Sequence, residues 1–559
     1  MATRVVILDG YTDEPAGLGV PPYIDVYPRY MAGAIWSVEK TASIYYFTID
    51  EVRKKPDTFY KLASRSNILV IIAGVVVPGR YIGGKPITLE EVLGISRRID
   101  GPIKILAGPA ARFGFGYSGG RRAVSKRYLK EAFDLLIYGD PEIVLFDLLR
   151  EKSVERVNPY AIRKDYSLIS KFAIRGARIV LQHPNIGLNL IAEIETYRGC
   201  PRWVSGGCSF CIEPRFGRVV FRDPKNIAEE IGVLYSLGVK SFRLGRQADF
   251  LAYMALRTNE VEYPTPNPSA IDALMRMIRS VAPSLETLHI DNVNPMTIAL
   301  HEEEAVDALK SIIKWHTPGD VAAFGLESAD PYVVKANNIG NDPKMVLRAI
   351  EIVNKLGRRR GWNGMPELLP GINFVLGLKG ESRQTYRKNV DFLKEIVKRG
   401  LLVRRVNIRE VLPLEGTPMW SIGDEIVRKH KKLIVSFKHW VRERFDKYMM
   451  KKVFPKYTIL RGLYVEGQVE NSMVARQPGS YPVTVYLTEH VVRYRKINVA
   501  VVGHKARSLI GVSIPLKVKK SSFTSFKLIL GESLAKRVVV KKDSAEIPFK
   551  FRRFIELND

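Results

Sequence analysis

The chain has 559 residues, and 87 lysines and arginines against 58 aspartates and glutamates give it a formal net charge of +29. At roughly 100 to 200 residues per domain, the length predicts about three or four domains, and the 46% hydrophobic content argues against disorder. The longest apolar run, Ile68 to Val77, has about half the length of a membrane-spanning helix, and three cysteines are too few for a disulfide framework. We therefore expect a cytoplasmic protein without a membrane helix.

Residues 1–175 alternate strand-like and helix-like segments, as in a doubly wound parallel sheet. The predicted strands are continuous apolar runs, typical of strands covered on both faces: Val5 to Leu8, Ser43 to Ile49, Ile68 to Val77, Ile103 to Ala107 and Asp134 to Tyr138. Ligands of such folds bind beyond the carboxyl ends of the strands. The glycine-containing segments Asp9 to Gly19 and Gly108 to Gly120 are expected there, where they could bind a small molecule or a neighbouring domain.

A second alternating block, residues 185–425, contains six predicted strands: Ala192 to Thr196, Ser241 to Leu244, Thr287 to Asp291, Val321 to Leu326, Ile372 to Leu378 and Arg405 to Leu412. Helix-like stretches separate them, for example Met345 to Leu356 after the start signal Asp342-Pro343. Six βα repeats predict a partial parallel barrel of the TIM type. The chemistry of such barrels gathers at the carboxyl ends of the strands.

Three further segments are predicted after the barrel. Residues 426–455 form a basic helical linker, residues 456–518 a small β-barrel, and residues 519–559 a basic β-rich tail. From Arg428 to Arg461, twelve Lys and Arg stand against two acids, with six aromatic residues interleaved; a solvated amphipathic helix is the alternative. The cation excess favours a polyanionic partner such as RNA. The alternative is a charge-rich thermophile surface, although such surfaces usually balance the two signs.

All three cysteines, Cys200, Cys208 and Cys211, fall within twelve residues, directly after the first barrel strand. Thiolates are soft ligands that select zinc or iron–sulfur clusters. A zinc site would need a fourth protein ligand, for which His183 lies upstream. A 4Fe–4S cluster on three cysteines leaves one iron open, as a catalytic cluster requires. We favour the catalytic cluster and keep structural zinc as the alternative.

These residues resemble those of the radical S-adenosylmethionine superfamily. The segment Glu195 to Pro201, followed by Cys208-Ser-Phe-Cys211, looks like the cluster loop of that family. Later segments resemble the ends of its fourth, fifth and sixth barrel strands: Gly325 to Ser328, Asn373 to Ser382 and Pro413 to Pro418. The motifs follow one another in the family's order through the predicted barrel.

The resemblance implies a 4Fe–4S cluster on the three cysteines, with S-adenosylmethionine bound at the open iron. One electron would then cleave the sulfonium to a 5′-deoxyadenosyl radical, which abstracts hydrogen from the substrate. Phe210 would stack on adenine, Glu327 would accept from the ribose hydroxyls, and Asn373 would bond the adenine or the carboxylate. The alternatives are core packing for the phenylalanine, a buried salt bridge for the glutamate and a satisfied barrel residue for the asparagine.

The sequence departs from the family in two places. The usual C-x3-C-x2-C spacing is C-x7-C-x2-C here, so the loop must bulge, which Gly206-Gly207 permits. The family's Gly-Gly-Glu after the second strand is replaced by Leu244 to Asp249, in which Gly245 is the predicted cofactor-binding residue. For the neighbouring Arg243 and Arg246 there are two alternatives. They neutralise an anion of the ligand, which is a carboxylate or an RNA phosphate, or they form an interior ion pair.

The flanking domains also resemble parts of radical enzymes. The N-terminal domain looks like a cobalamin-binding domain, with Leu136 to Glu142 resembling its last strand and helix start. It lacks the Asp-x-His-x-x-Gly motif, and no histidine precedes His183, so cobalamin could bind there only without a histidine ligand. Methylthiotransferases carry three further cysteines in this domain, which disfavours methylthiolation because all the cysteines here lie in the cluster loop.

Residues 456–518 resemble a TRAM domain, a tRNA-delivering β-barrel, through Gly467-Gln-Val469 and Ala506 to Gly511; a barrel that only buttresses the catalytic domain is the alternative. The whole chain is similar to an archaeal group of Fe–S oxidoreductases that opens with a segment like Thr12 to Pro22. We expect an enzyme that modifies RNA, with tRNA as the first candidate and ferredoxin or flavodoxin as the electron donor. One alternative is a radical enzyme of small-molecule metabolism, such as a cobalamin-dependent methylase. Another is a non-enzymatic RNA-binding protein with structural zinc.

Overall fold

The computed structural model describes residues 3–13, 18–75, 84–117, 119–541 and 546–556. Two predicted ligand segments and the end of the predicted strand Ile68 to Val77 fall partly outside these ranges, at residues 14–17, 76–77 and 118. None of the helices within the described ranges has the length and apolar character needed to cross a membrane.

The N-terminal domain is a five-stranded parallel sheet flanked by helices. The first strands of the chain are β1 (Arg4–Asp9), β2 (Tyr23–Ile24), β3 (Ser43–Thr48), β4 (Ile68–Ile72), β5 (Ile103–Ala107) and β6 (Leu135–Leu136). The sheet order β3-β1-β4-β5-β6, parallel throughout, confirms the predicted doubly wound fold. Residues of β1 and β4 are buried on both faces, as their continuous apolar runs predict.

The helices of this domain are α1 (Val26–Val38), α2 (Ile49–Lys54), α3 (Pro56–Ala63), α4 (Leu89–Arg98), α5 (Pro109–Phe113), α6 (Pro141–Glu151) and α7 (Ser167–Gly176). Helices α2 and α4 each begin with a capping box, in which a threonine and a glutamate three residues later satisfy each other's backbone N–H groups. Helices α1 and α7 approach closely at Gly33 and Gly176, where a Cβ would lie within 2 Å of a backbone oxygen of the other helix.

The central domain contains β7 (Ile191–Glu195), β8 (Tyr197–Arg198), β9 (Val220–Phe221), β10 (Ser241–Gly245), β11 (Thr287–Ile290), β12 (Asp320–Glu327), β13 (Leu368–Leu376) and β14 (Arg405–Glu410). Strands β7, β10 and β11 pair in parallel, as do β12, β13 and β14, and a parallel bridge between Asn292 and Ala323 joins the two sets. This arrangement confirms the predicted six-stranded partial barrel. The short β2 pairs with the outer edge of β7, so a segment of the N-terminal region extends the barrel.

The helices that cover this barrel are α8 (Pro224–Ser236), α9 (Pro268–Val281), α10 (Pro295–Leu300), α11 (Glu302–Trp315), α12 (Pro331–Ala336), α13 (Pro343–Gly357) and α14 (Arg383–Lys398). Several begin with proline at the first turn after an aspartate or asparagine whose side chain accepts a backbone N–H bond, as in α8, α12 and α13. Such a start fixes the helix end, because the side chain satisfies a free backbone N–H and proline removes another.

A helical segment follows the barrel: α15 (Met419–Ile422), α16 (Glu425–Trp440), a π-helical stretch Val441–Asp446 and α17 (Lys447–Val453). The chain then forms a closed five-stranded barrel of β15 (Ile459–Val469), β16 (Ser472–Arg476), β17 (Thr484–Leu487), β18 (Lys496–His504) and β19 (Ser508–Ile514), in the order β15-β16-β17-β19-β18. The predicted small C-terminal β-barrel is therefore present.

The prediction that residues 519–559 form a β-rich tail is wrong. After β20 (Leu516–Lys517), its described part contains α18 (Phe523–Leu530), α19 (Glu532–Lys541), α20 (Phe549–Arg552) and only the two-residue strand β21 (Ile555–Glu556). Phe526, Ile529 and Leu530 recur at a helical period and are buried together against the C-terminal β-barrel, and the Ser522 hydroxyl accepts the Ser525 N–H at the start of α18. Burial of this apolar face outweighs the strand preference of its β-branched residues.

Candidate active site

The three cysteines lie on the loop after β7 and β8, at the carboxyl end of the partial barrel. Cys200 precedes a 3₁₀ turn, Pro201–Ser205, and the chain returns through Gly206 and Gly207, whose φ angles are +84° and +65°. A Cβ on Gly207 would lie 2.2 Å from the Pro214 ring, so this turn requires glycine. The long spacer is thus accommodated by a helical turn closed by two glycines, as the sequence predicts.

The thiols are half-buried, free of disulfides and close enough to influence one another. Burial raises the pKa of Cys200 to about 12 and that of Cys208 to about 11. Burial, and then the charge of Cys208, raise the pKa of Cys211. Three thiolates in one such enclosed place need compensating positive charge, and the iron of a cluster supplies it.

Arg202 brings a positive charge to the cluster loop from within the spacer. Its guanidinium is buried, and Nη1 lies 3.2 Å from Cys208 Sγ and also donates to the Ile339 carbonyl. The same guanidinium opposes the rise in the Cys208 pKa. The sequence analysis did not identify this residue, and its place between two cysteines is the signal that could have found it.

Two asparagines after α12 brace the cluster loop. The Asn337 carbonyl accepts the Ser209 N–H and its side-chain oxygen accepts the Ser209 hydroxyl, both at 2.9 Å. Asn338 Nδ2 donates to the carbonyls of Ser205 and Gly207, both also at 2.9 Å. The fourth βα unit therefore holds the carboxyl end of the spacer, through contacts between residues about 130 positions apart that no local pattern revealed.

The donor set fits a 4Fe–4S cluster, because three thiols share one loop and the described structure brings no fourth protein ligand to them. In the described ranges, no three His, Cys, Asp or Glu side chains are grouped to hold a single metal ion. His183, the predicted fourth zinc ligand, is instead buried beside Tyr46 of the N-terminal sheet, with 6.0 Å between ring centroids. Burial lowers the pKa of His183 to about 3. When bound, the cluster supplies one-electron reduction of S-adenosylmethionine.

The predicted cofactor residues of the first two βα units lie at the same end of the barrel. Phe210 sits between Cys208 and Cys211, and its half-buried ring packs against the main core. Gly245 ends β10, where a Cβ would lie 1.8 Å from Glu193 Oε1. Glycine is thus required there by the carboxyl group beneath it, while contact with S-adenosylmethionine stays a prediction for both residues.

Glu327 ends β12 in a strained conformation. A register shift between Gly325 and Glu327 marks an irregularity in the strand, and Glu327 has a φ of +61°. Its Oε1 lies 2.7 Å from the position that a Cβ on Gly325 would take, and the buried Oε2 has no hydrogen-bond partner among the described residues. Burial raises its pKa to about 8, with Arg409 acting in the opposite direction. Strain and an unsatisfied oxygen together are typical of a ligand-binding residue rather than of a structural salt bridge.

Asn373 faces the interior of the barrel, which we call the lumen. On β13, Phe374 packs edge-on against Phe437 of α16 with centroids 5.4 Å apart, so the alternate residues point away from the helices. Asn373 pairs in register with Gly325 on one side and Asn407 on the other. It is therefore on the strand adjacent to Glu327, as the resemblance implies.

Arg243 forms an interior ion pair, one of the two alternatives stated for it. Its Nη1 lies 2.8 Å from both Glu193 oxygens, and its Nη2 pairs with Asp291. Arg246 donates to the Tyr27 hydroxyl at 3.1 Å. These contacts fix the floor beneath the ends of β7, β10 and β11.

Segments that follow the carboxyl ends of the N-terminal strands contact the barrel. Gly116 of the second predicted ligand segment fits between Val75 and Leu412, where a Cβ would lie about 2.5 Å from each. Nearby, the guanidinium of Arg163 forms two bonds to the Glu195 carboxylate, at 2.8 and 2.9 Å. The described part of this segment therefore contacts the neighbouring domain, which was one of its two predicted partners.

The cluster loop lies within a region that matches a known family. Residues 194–393 match the family model of the radical SAM superfamily. The chain is 46% identical over 515 residues to protein MJ0274 of Methanocaldococcus jannaschii, covering 91% of this chain and 93% of that protein. It is 23% identical over 347 residues to the ribosomal protein uS12 methylthiotransferase RimO of Pasteurella multocida, covering 60% and 72%. The radical S-adenosylmethionine methyltransferase TsrM of Kitasatospora setae aligns over 75% of each chain at 13% identity and a TM-score of 0.48. The chain belongs to the radical S-adenosylmethionine superfamily and is an iron–sulfur enzyme that uses a 4Fe–4S cluster and S-adenosylmethionine.

Proposed function

We propose that this enzyme modifies RNA, with tRNA as the first candidate. The observation that carries the proposal is a positively charged surface on the helices between the catalytic barrel and the C-terminal β-barrel. We call it the basic helix surface, and its exposed members are Arg428, Lys429, Lys431, Lys432, Arg442, Arg444, Lys447, Lys451, Lys452 and Lys456.

Little of this charge is neutralised within the protein. Arg428 lies 3.3 Å from Asp424 and Lys447 lies 3.8 Å from Glu443. The other members form no ion pair with any residue that the structure describes. Exposed, unneutralised cations concentrated in one helical segment are the electrostatic footprint expected for contact with a phosphate backbone. The aromatic residues of this segment contribute differently, since Phe437, Phe445 and Phe454 are buried and hold the helices to the core.

The C-terminal β-barrel adds an exposed aromatic residue among arginines. Between β17 and β18, Arg493, Tyr494 and Arg495 are all exposed, and the Arg493 guanidinium lies 4.5 Å from the centre of the Tyr494 ring. Such a pair can stack an unpaired base while neutralising its phosphate. This feature supports an RNA-binding role for the barrel beyond that of a buttress.

A second candidate substrate is a ribosomal protein, because the related RimO is named for its action on ribosomal protein uS12. Methylthio transfer would need a sulfur source outside this chain, since its three cysteines all lie in the cluster loop. A small-molecule substrate becomes the leading alternative if neither RNA nor ribosomal protein binds. Ferredoxin or flavodoxin is the proposed electron donor.

Salt-dependent binding of total tRNA tests the proposal. We expect log K to fall linearly with log salt concentration, and the double substitution Lys431→Ala, Lys432→Ala to reduce the slope by about one to two, because each lost phosphate contact removes somewhat under one unit. The matched control removes Lys310 and Lys314 of α11, which are 60% and 61% exposed. A flat salt response, or equal weakening by the control pair, contradicts the proposal.

A further inference from the structure

The loop between β16 and β17, residues 477–483, contacts the catalytic barrel. The Ser480 N–H donates to His289 Nδ1 at 3.0 Å, and the Ser480 hydroxyl donates to the Ile290 carbonyl at 3.3 Å. The next residue, Tyr481, donates its hydroxyl to Asp291 Oδ1 at 3.1 Å. The C-terminal β-barrel therefore supplies part of the wall around the lumen.

The last strand of the catalytic barrel presents polar side chains to the same lumen. On β14, Val406 is buried and Glu410 pairs with Lys438 of α16, so the even-numbered residues face the helices. By the two-residue period of a strand, Arg405, Asn407 and Arg409 face inward. The Arg405 guanidinium lies 4.2 Å from the centre of the Tyr481 ring contributed by the other domain.

Arg405 differs from the other lumen cations because no carboxylate pairs with it among the described residues. Arg243 is paired with Asp291, and Arg409 lies 3.7 Å from Asp13 Oδ1. Arg405 is half-buried, its guanidinium donates no hydrogen bond to a residue that the structure describes, and burial lowers its pKa. A half-buried guanidinium without an anion keeps only part of its hydration, which is unfavourable. An anion bound in the lumen would pair with the Arg405 guanidinium and remove this cost.

Two amides next to Arg405 are also available to a ligand. Asn407 lies two residues along β14, and Asn373 is its partner in register on β13. Both are half-buried, and neither side chain hydrogen-bonds to a residue that the structure describes. A molecule held by Arg405 can therefore also find a donor and an acceptor on the same wall.

We propose that Arg405, stacked on Tyr481, binds an anionic group of the substrate, a carboxylate or a phosphate, within the catalytic barrel. Arg405 begins β14 and lies on the order of 16 Å from the strand end near which the cysteines lie, too deep for a group that is bound at the cluster. The C-terminal β-barrel thus shapes the substrate site directly, through Tyr481, in addition to any contact with RNA. This inference rests on the proposed function in that the chain acts on a substrate, and it adds that the substrate enters the lumen.

Anion titration tests the inference without knowledge of the substrate. Potassium phosphate and potassium acetate are titrated separately into the cluster-containing enzyme by calorimetry at constant ionic strength, and the better ligand identifies the anion class. We expect Arg405→Met to raise the dissociation constant of that anion at least tenfold, whereas Arg359→Met, at a residue whose side chain is 72% exposed, leaves it unchanged. Wild-type enzyme that binds neither anion, or Arg405→Met that binds as the wild type does, overturns the inference.

Two further variants separate binding from folding. Arg405→Lys keeps the charge but loses the bidentate geometry, so we expect severalfold weaker binding even if the methionine variant fails to fold. Tyr481→Leu removes the stacked ring and is expected to weaken binding severalfold with an unchanged circular dichroism spectrum. Unchanged anion affinity in both variants overturns the inference. The binding of tRNA is measured in parallel. Loss of tRNA binding only in the variants of the basic helix surface supports the proposed function. Loss of anion binding only in the Arg405 variants supports the lumen site.

Discussion

The substitution Arg202→Met tests whether the spacer of the cluster loop tunes the cluster. The guanidinium Nη1 lies 3.2 Å from Cys208 Sγ, and a hydrogen bond from a charged donor contributes about 1.5–3 kcal/mol. The bond persists in both oxidation states, so only its strengthening on reduction shifts the potential, and we take this part as about 1 kcal/mol. At 59 mV per tenfold for one electron, the midpoint potential should fall by about 40 mV.

Potentiometric titration of the reconstituted cluster, followed by electron paramagnetic resonance, measures this shift. The matched control is Arg215→Met, because Arg215 Nη2 donates to the Gly206 carbonyl of the same loop at 3.2 Å but does not contact sulfur. The control should leave the potential close to that of the wild type. An unchanged potential in Arg202→Met, or an equal shift in the control, would refute the role assigned to this guanidinium.

Three further predictions concern loop support, strand packing and pH. Asn338→Ala removes three hydrogen bonds to the cluster loop and should cost about 2–4 kcal/mol, seen as a lower Tm and a lower iron content after reconstitution; wild-type iron content would argue against it. Gly245→Ala places a methyl group against Glu193 and should cost about 1–3 kcal/mol in urea unfolding, whereas Gly94→Ala, in open space on α4, should cost nothing. His183, with its pKa lowered to about 3, stays neutral in the folded state while the unfolded chain takes up a proton below about pH 6.5, so stability falls on acidification. Between pH 7 and 5 this loss is about 2 kcal/mol, and His183→Gln should remove it; an identical pH dependence in the variant would contradict the assignment.

The sequence predicted the parts of this protein that depend on local pattern. Continuous apolar runs such as Ile68 to Ile72 identify strands buried on both faces, and Asp-Pro pairs mark the starts of α8 and α13. The cluster ligands could be found because Cys200, Cys208 and Cys211 are near one another along the chain. Chemistry concentrated in one short segment is visible before folding.

Other features depend on contacts between distant segments. Asn338 reaches the cluster loop across about 130 residues, and Tyr481 reaches Arg405 from another domain. No period or spacing relates such pairs in the sequence. The tail was mispredicted for a related reason, because whether Phe526 and its apolar neighbours form a strand or a helix is decided by the surface that covers them.

The most direct test of the central claim is 5′-deoxyadenosine release by the anaerobically reconstituted, reduced enzyme, measured with S-adenosylmethionine in the presence and absence of total tRNA. Release that requires Cys200, Cys208 and Cys211 and rises when tRNA is added is the predicted result. Release that depends on the cysteines but is indifferent to tRNA would contradict the proposed substrate.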